Sequence, residues 1–506
     1  MEQIISSEKM RLWEQANFDA KLAAPLELMF IAGKGCAEIF LENCHKYGKF
    51  NRVVIFSGHG NNGGDGVVIA SLLAEQLDTK IVLALALPPE KLSVSSRYYF
   101  EKLHKSVQIV AAEEVVLNRY DLVIDALLGT GCTAPMREPY RTLIEKINQS
   151  RCPVFSVDLA SGLGSDAVVK ADMTMVIGSF KDVLFTAEGI ENSGLLYLVE
   201  LPLSLEPENS DNVFAATRQW FAAHTPDISR NIHKYQRGSV LVAGGSQEYF
   251  QAPFLTARAA LRNGSGLVRL MVPFAIQPGC GTLSIIPTSV PAPEGALDKN
   301  TLEYVLKYSE KADCIAVGPG LGRKPCSCEF IAGLAAMDKP LLLDADALFF
   351  VAQLPELFQK RQVPAVMTPH RGEAQMLAKG LNKELPEDDV AAARMLASGY
   401  TVVVLLKGPR TAVAALDGRV RINTTGTPAL ATAGSGDVLT GIIAAGIARF
   451  RNQLSMSDVW NAASYGAFLH GLAGEKAEEV FGSCGVIADD LPEIAAQCIA
   501  ALKKIK

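Results

Sequence analysis

Ala433-Gly434-Ser435-Gly436-Asp437-Val438-Leu439-Thr440-Gly441 is a glycine-rich turn that runs straight into an apolar helical pattern. Free N–H groups and the positive end of the helix dipole converge at such a start, which makes it an anion site. Asp437 falls in the first helical turn, where a carboxylate is favoured and expected to stay ionised. A hydroxyl deprotonated there, with a phosphoryl group held on the N–H groups of Gly434 to Gly436, is an economical phosphotransfer arrangement. A lone Gly-x-Gly-Asp is more often a capped helix and nothing else. Here a second phosphate candidate, Lys407-Gly408-Pro409-Arg410-Thr411, stands upstream behind a Val/Leu strand, and the pair favours the chemical reading.

Around this turn, short apolar strands alternate with helices. The pattern predicts strands at 239–243, 267–272, 314–317, 341–343, 365–368 and 401–406, a helix at 252–262, and long Ala-rich helices at 457–480 and from 489. Alternation of this kind implies a parallel sheet with helices on both faces, and ligands bind beyond the carboxyl ends of its strands. Gly318 to Gly322, His370 and the Gly434–Asp437 turn fall at that edge. His370 follows a strand and precedes a helix start, which favours a substrate contact over a core histidine. Asp344 and Asp346 fit magnesium ligands and helix caps equally well.

The first half repeats the alternation, with two helices between Met10 and Glu42 broken at Pro25, then strands at 52–57, 80–85, 121–126, 152–157 and 172–177. Three oxygen-rich stretches end these strands: Gly58 to Gly66 (GHGNNGGDG) before a helix expected near Val67, Asp125 with Gly129 to Pro135, and Asp158 with Ser161 and Gly162. The first is neither a dinucleotide fingerprint nor a P-loop. Singly, such aspartates are common caps. Together they favour a crevice that suits a hard, monovalent cation.

The 506 residues predict more than one domain, joined at the Pro/Ser/acidic stretch Leu201 to Asp211, which gives domains 1–211 and 212–506. With 49% apolar and 20% charged residues the chain is an ordinary globular protein. A net charge of −6 and pI near 5.8 argue against nucleic-acid and membrane partners. No apolar run reaches membrane-spanning length, and the charged start lacks a secretory pattern. Ten cysteines without a pairing framework read as free thiols of a cytoplasmic protein, Cys326 and Cys328 as loop thiols.

The ordered blocks GHGNNGGDG, VIDALLGTG and VDLASG, then HKYQRGSVLVAGGS, QAPFLTARAALRNGSGLV, VGPGLG, TPHRGEAQML, LLKGPRT and TTGTPALATAGSGDVLTGIIA, resemble the bifunctional enzymes that repair hydrated NADH and NADPH. The resemblance spans nearly the whole chain. It implies two α/β/α sandwich domains, Rossmann-like then ribokinase-like. It also implies an isomerase that interconverts R and S NAD(P)HX, and a lyase that dehydrates the S form with ADP or ATP, releasing phosphate. Carried over by position, the epimerase substrate residues are Asn61, Asn62, Gly63, Gly64 and Asp65, then Gly129, Thr130, Gly131, Cys132, Thr133, Ala134 and Pro135, and Asp158. Asp158 is the expected acid/base, assisted by Lys181, and Asn62, Asp125 and Ser161 are the potassium ligands. In the dehydratase, Ala252, Gly320, His370 and Asp437 match substrate positions, with Asp437 as catalytic base. Lys407, Gly408, Pro409, Arg410, Thr411 and Gly436 match nucleotide contacts. Magnesium is expected with the nucleotide, and a homo-oligomer is expected. Departures from the family pattern are Ala160 for proline, Ser435 for threonine and Thr427 for asparagine, the last of which puts one contact in doubt. Two rivals stay open: a ribokinase-type vitamin or sugar kinase fused to a binding domain, and a nucleotide sensor.

Overall fold

The computed structural model describes residues 2–132, 134–205, 211–273, 284–450 and 454–502. Thr133, one of the expected epimerase substrate residues, lies outside them, as does part of the expected linker (206–210). The chain divides into two compact units, Glu2–Asp211 and Asn212–Lys506.

In the first unit a seven-stranded sheet runs, edge to edge, Gln108–Ala111, Lys80–Leu85, Arg52–Ser57, Leu122–Ala126, Val154–Val157, Met173–Ile177 and Leu195–Val199. Every neighbouring pair is parallel. The central strands are mostly apolar because helices cover both faces, while the edge strand Gln108–Ala111 is only partly covered. Chain order reverses between Arg52–Ser57 and Leu122–Ala126, and a crevice opens beyond such a reversal. There a Cβ on Gly58 would stand 1.9 Å from the Leu127 carbonyl oxygen. Outside this sheet, Glu2–Ile5 pairs in parallel with Phe180–Lys181, with Ile5 opposite Lys181.

In the second unit the order is Ile286–Val290, Leu267–Pro273, Ser239–Ala243, Cys314–Val317, Leu341–Leu343, Ala365–Met367, Val403–Leu406, Ala412–Ala414, Val420–Asn423 and Val213–Ala216. The order reverses between Ser239–Ala243 and Cys314–Val317. The expected all-parallel sheet is corrected at one place: Ala412–Ala414 runs antiparallel to both its neighbours. The chain turns back through the short Gly408–Thr411 segment, leaving no room for a crossover helix.

The helix Ser435–Ala448 is buried on nearly all sides and packs against Ala252–Arg262. Gly441 makes the crossing close, since a Cβ there would lie 2.2 Å from the Thr256 carbonyl oxygen and 2.6 Å from Ala259 Cβ. Gly441→Ala should therefore lower the thermal midpoint of this unit by an overpacking cost of about 1–3 kcal/mol; an unchanged melting curve would remove the close-crossing argument. Among the described residues no helix is long and apolar enough to cross a membrane. The described cysteines are unpaired, and Cys326 and Cys328 open the helix Cys326–Ala335, so the expected loop is corrected to a helix.

Candidate active sites

In the second unit the parallel strands deliver their C-terminal residues to one edge. The Gly318–Gly322 loop follows Cys314–Val317, Asp344 follows Leu341–Leu343, His370 comes just beyond Ala365–Met367, and Lys407 follows Val403–Leu406. His370 and Lys407 form a parallel bridge, and Lys407 N donates to Pro369 O at 2.8 Å. Ala252 opens the helix beside the same loop: a Cβ on Gly244 would sit 2.3 Å from Pro319 O and 3.4 Å from Pro253 Cβ. Gly434 caps Ser435–Ala448 at φ 87°, a left-handed conformation suited to glycine, and a Cβ there would press on Leu255 at 2.8 Å.

Asp437 stands half-buried in the first turn of that helix. Burial and then the Asp344 carboxylate raise its pKa to about 7, against the opposing pull of Lys407. This corrects the expectation that the helix start alone keeps it ionised, because desolvation outweighs the dipole. Lys407 Nζ is 2.8 Å from Asp344 Oδ1 and 3.9 Å from Glu373 Oε2, and 3.5 Å from where a Gly436 Cβ would be. Burial works against its charge, but Asp344 and Glu373 outweigh burial and hold its pKa above the ordinary value. The ammonium thus waits at the mouth of the glycine turn.

Several of these residues also hold contacts within the protein. Asp344 caps no helix. Its Oδ1 accepts from Thr368 Oγ1 at 2.8 Å and its Oδ2 from Thr440 Oγ1 at 2.6 Å, besides the lysine. Asp346 binds Gly322 N at 3.0 Å and Arg323 Nε at 2.9 Å. Lys407 and Arg323 already balance these two carboxylates, so magnesium does not fit the Asp344/Asp346 pair. His370 is an N-cap whose Nδ1 accepts from Gly372 N at 3.0 Å, with its ring largely exposed. Thr411 Oγ1 closes the 408–411 turn on Gly408 O at 3.1 Å, and Arg410 Nη1 reaches Thr424 O at 3.1 Å. Thr427 donates to Glu478 and caps Ala429 N. Sequence reasoning missed His470, which is buried 3.0 Å from Ser435 Oγ and kept neutral by burial that lowers its pKa to about 4. A histidine inside the apolar run Phe468-Leu469-His470 was the available signal.

In the first unit Asn61 to Asp65 lie in the opening turns of the helix Asn61–Gln76, which corrects the expected start near Val67. Glycine's poor helix propensity yields here to tertiary packing: a Cβ on Gly63 would meet Gly58 O at 1.9 Å. Asp65 is buried, and burial, then Asp158 and Glu14, push its pKa well above the usual carboxylate range. Asp125 is fully buried with four donors, Ser161 Oγ at 2.6 Å, Ser156 Oγ at 2.8 Å, Ser161 N at 2.9 Å and Leu127 N at 3.2 Å. Burial still raises its pKa. No counter-ion faces it among the described residues.

Asp158 follows the strand Val154–Val157 at φ 67°, a strained conformation for a residue with a Cβ. Its Oδ1 accepts from the Lys181 ammonium at 2.5 Å, and Lys181 also donates to Ile177 O at 2.5 Å. A Cβ on Gly129 would lie 2.9 Å from Asp158 Oδ2 and 3.4 Å from Asn62 Cγ, so three separate segments meet here. Both polar atoms of the Asn62 amide are buried without a partner. Gly131 borders open space, and Cys132 is half-buried. Glu14, on the first helix, was also missed; burial, and then Asp158, raise its pKa to about 7.

A glycine turn at a helix start, a carboxylate poised near neutrality and a half-buried, ion-paired lysine define an enzyme unit that handles phosphoryl groups. It shares its chain with an acid-lined crevice at a Rossmann-type strand reversal. Residues 240–497 match the family model of the NAD(P)H-hydrate dehydratases, and residues 25–183 that of the YjeF-related protein N-terminus. The bifunctional NAD(P)H-hydrate repair enzyme Nnr of Salinibacter ruber is 35% identical, covering 93% of this chain and 92% of its own. That of Thermofilum pendens is 34% identical over 89% and 88%, and that of Escherichia coli 31% identical over 92% and 88%. The ADP/ATP-dependent NAD(P)H-hydrate dehydratase of Bacillus subtilis, co-crystallised with ATP and Mg2+, is 24% identical over 56% of this chain, at a TM-score of 0.44. The chain belongs to the bifunctional NAD(P)H-hydrate repair enzymes.

Proposed function

We infer that residues 1–211 interconvert the R and S hydrates of NADH and NADPH, and that residues 212–506 dehydrate the S form with ADP or ATP. The observation that carries the second assignment is Asp437, poised near pH 7 behind a turn of main-chain N–H groups with Lys407 at its mouth. Asp437 takes the proton of the C6 hydroxyl, and the oxygen attacks the terminal phosphoryl group, whose bond to the bridging oxygen breaks to release AMP from ADP or ADP from ATP. The N–H groups of Gly434 and Gly436 and the Lys407 ammonium stabilise the transferring group, the Ser435 N–H being donated to Thr432 O at 3.3 Å. The ring-nitrogen lone pair then expels phosphate, and loss of a C5 proton restores the C5–C6 double bond. Ala252, Gly320 and His370 border the hydrate, and 407–411 with Gly436 the nucleotide. Magnesium, when bound, shields the phosphate charge.

In the first unit, ring-nitrogen assistance ejects water from C6 and readmits it, with Asp158 moving the proton and Lys181 holding Asp158 in place. Asn61 to Asp65 and the Gly129–Pro135 stretch border the substrate. The orphaned Asn62 amide and the buried Asp125 carboxylate without a counter-ion suit potassium, which Asn62, Asp125 and Ser161 would hold. When bound it balances the Asp125 charge. The free described thiols support a reducing, cytoplasmic setting. Sedimentation would read the expected homo-oligomer.

The test is recovery of the reduced-nicotinamide absorbance from chemically hydrated NADH, with ADP and ATP supplied separately and phosphate assayed alongside. A stable phosphorylated product without recovery would transfer the second unit to the kinases. Because Asp437 acts as the unprotonated base, dehydration should fall as pH drops through about 7, approaching about tenfold per unit below it. A flat acid side would remove Asp437 as base.

A further inference from the structure

Asp344 is a buried, ion-paired carboxylate of the second unit to which the chemistry above gives no task. It is 1% exposed. Its two oxygens tie four segments together: its own strand end, Thr368 beyond Ala365–Met367 at 2.8 Å, Lys407 beyond Val403–Leu406 at 2.8 Å, and Thr440 on the Ser435–Ala448 helix at 2.6 Å. Thr440 lies three residues after Asp437, on the same helix face. These three hydrogen bonds link the lysine at the glycine turn to the helix that carries Asp437.

A bland account is that Asp344 merely fills the core. Buried ion pairs add little net stability over apolar packing of the same shape, so stability alone does not call for this one. We propose that Asp344 is a positioning residue for dehydration, which fixes the Lys407 ammonium against Gly436 and keeps a permanent negative charge behind Asp437. The proposal rests on the assignment of Asp437 as base. The groups facing Asp437 are Asp344 and Asp346, which oppose its ionisation, and Lys407, which favours it. Asp346 is itself paired with Arg323, and Glu373 faces Lys407 from the helix Arg371–Gly380. His470, the other ionisable group at this helix start, is neutral and bound to Ser435. Among the described residues, Asp344 is thus the buried anion near Asp437 whose hydrogen bonds also reach that residue's helix.

Two consequences follow. Removing the Asp344 charge makes Asp437 easier to ionise, directly and by releasing Lys407 toward it. Removing the tie to Thr440 loosens Lys407 from the glycine turn without changing any charge.

The experiment uses the full chain, S-NADHX and ADP or ATP. In Asp344→Asn, the acid limb of the dehydration pH profile should move down by about one pH unit, and the nucleotide KM should rise on the order of tenfold, as expected for one charge-assisted hydrogen bond. A limb that stays at its wild-type pH while turnover and thermal midpoint fall together would reduce Asp344 to a core residue and overturn the proposal. Thr440→Val decides the matter if the first variant fails to fold. It should raise the nucleotide KM several-fold with kcat nearly kept, and Thr440→Ser should restore it; a KM unmoved in Thr440→Val overturns the positioning role. Absence of any acid limb in the wild-type chain is a different failure, because it removes the Asp437 base and with it the ground of the proposal.

Discussion

Asp437→Asn should cut dehydration by about 10²–10⁴-fold, the range for loss of a general base, and leave R/S exchange untouched. The asparagine keeps the shape of the first turn and of the amide cradle, so nucleotide binding persists while the C6 hydroxyl retains its proton. Half-burial makes the test clean, since an amide in this place needs no counter-charge where the carboxylate sits beside Lys407. The measurement is phosphate release from S-NADHX with ADP or ATP at pH 8, where the wild-type carboxyl is ionised. Dehydration within a few-fold of wild type would transfer the base role elsewhere.

Asp158→Ala carries the second large effect, on the other reaction and on stability. Lys181 is 1% exposed and its ammonium is shared between Asp158 and the Ile177 carbonyl. Deleting the carboxylate leaves a buried cation with one neutral acceptor, a loss of about 3–5 kcal/mol for a broken buried pair. R/S exchange should drop to the spontaneous rate, and the first unit should melt earlier. Asp158→Asn separates the two effects: it retains an acceptor for Lys181, so stability should largely return while exchange stays lost. Exchange at the wild-type rate in either variant would take Asp158 out of the chemistry.

Much of the sheet was visible in the chain because the strands are buried on both faces. Arg52–Ser57, Lys80–Leu85, Cys314–Val317 and Leu341–Leu343 hold apolar runs of three or more residues, followed by glycine, by Ala-Leu-Pro-Pro, by glycine and by aspartate in turn, and the helix Ala252–Arg262 shows its period plainly. Edge strands escaped because their pattern is diluted: Gln108–Ala111 is half-exposed and Ile286–Val290 contains Pro287. Ala412–Ala414 was hidden by its shortness and its antiparallel return. The glycines at 63, 64 and 66 masked a helix start, since local propensity says loop while packing says otherwise.

The candidate sites divide along the same line. Residues in glycine turns and at strand ends announce themselves locally. The partners of Asp344 do not, because Thr368, Lys407 and Thr440 come from three different segments and meet only when the sheet is built. Glu14 and His470 were silent for a related reason: a lone charged or imidazole side chain on a helix has no pattern until the burial that perturbs it is known.

The near-contact of Gly441 with Thr256 reaches further than melting temperature. It welds two helices that run the same way from the same rim, one beginning at Ala252 and the other at the Gly434 turn. On the assignment proposed above, the residues bordering the hydrate and the cradle for the phosphoryl group then ride on one packed helix pair. A spin-label pair spanning the two helices should report one unchanging distance from empty enzyme to product.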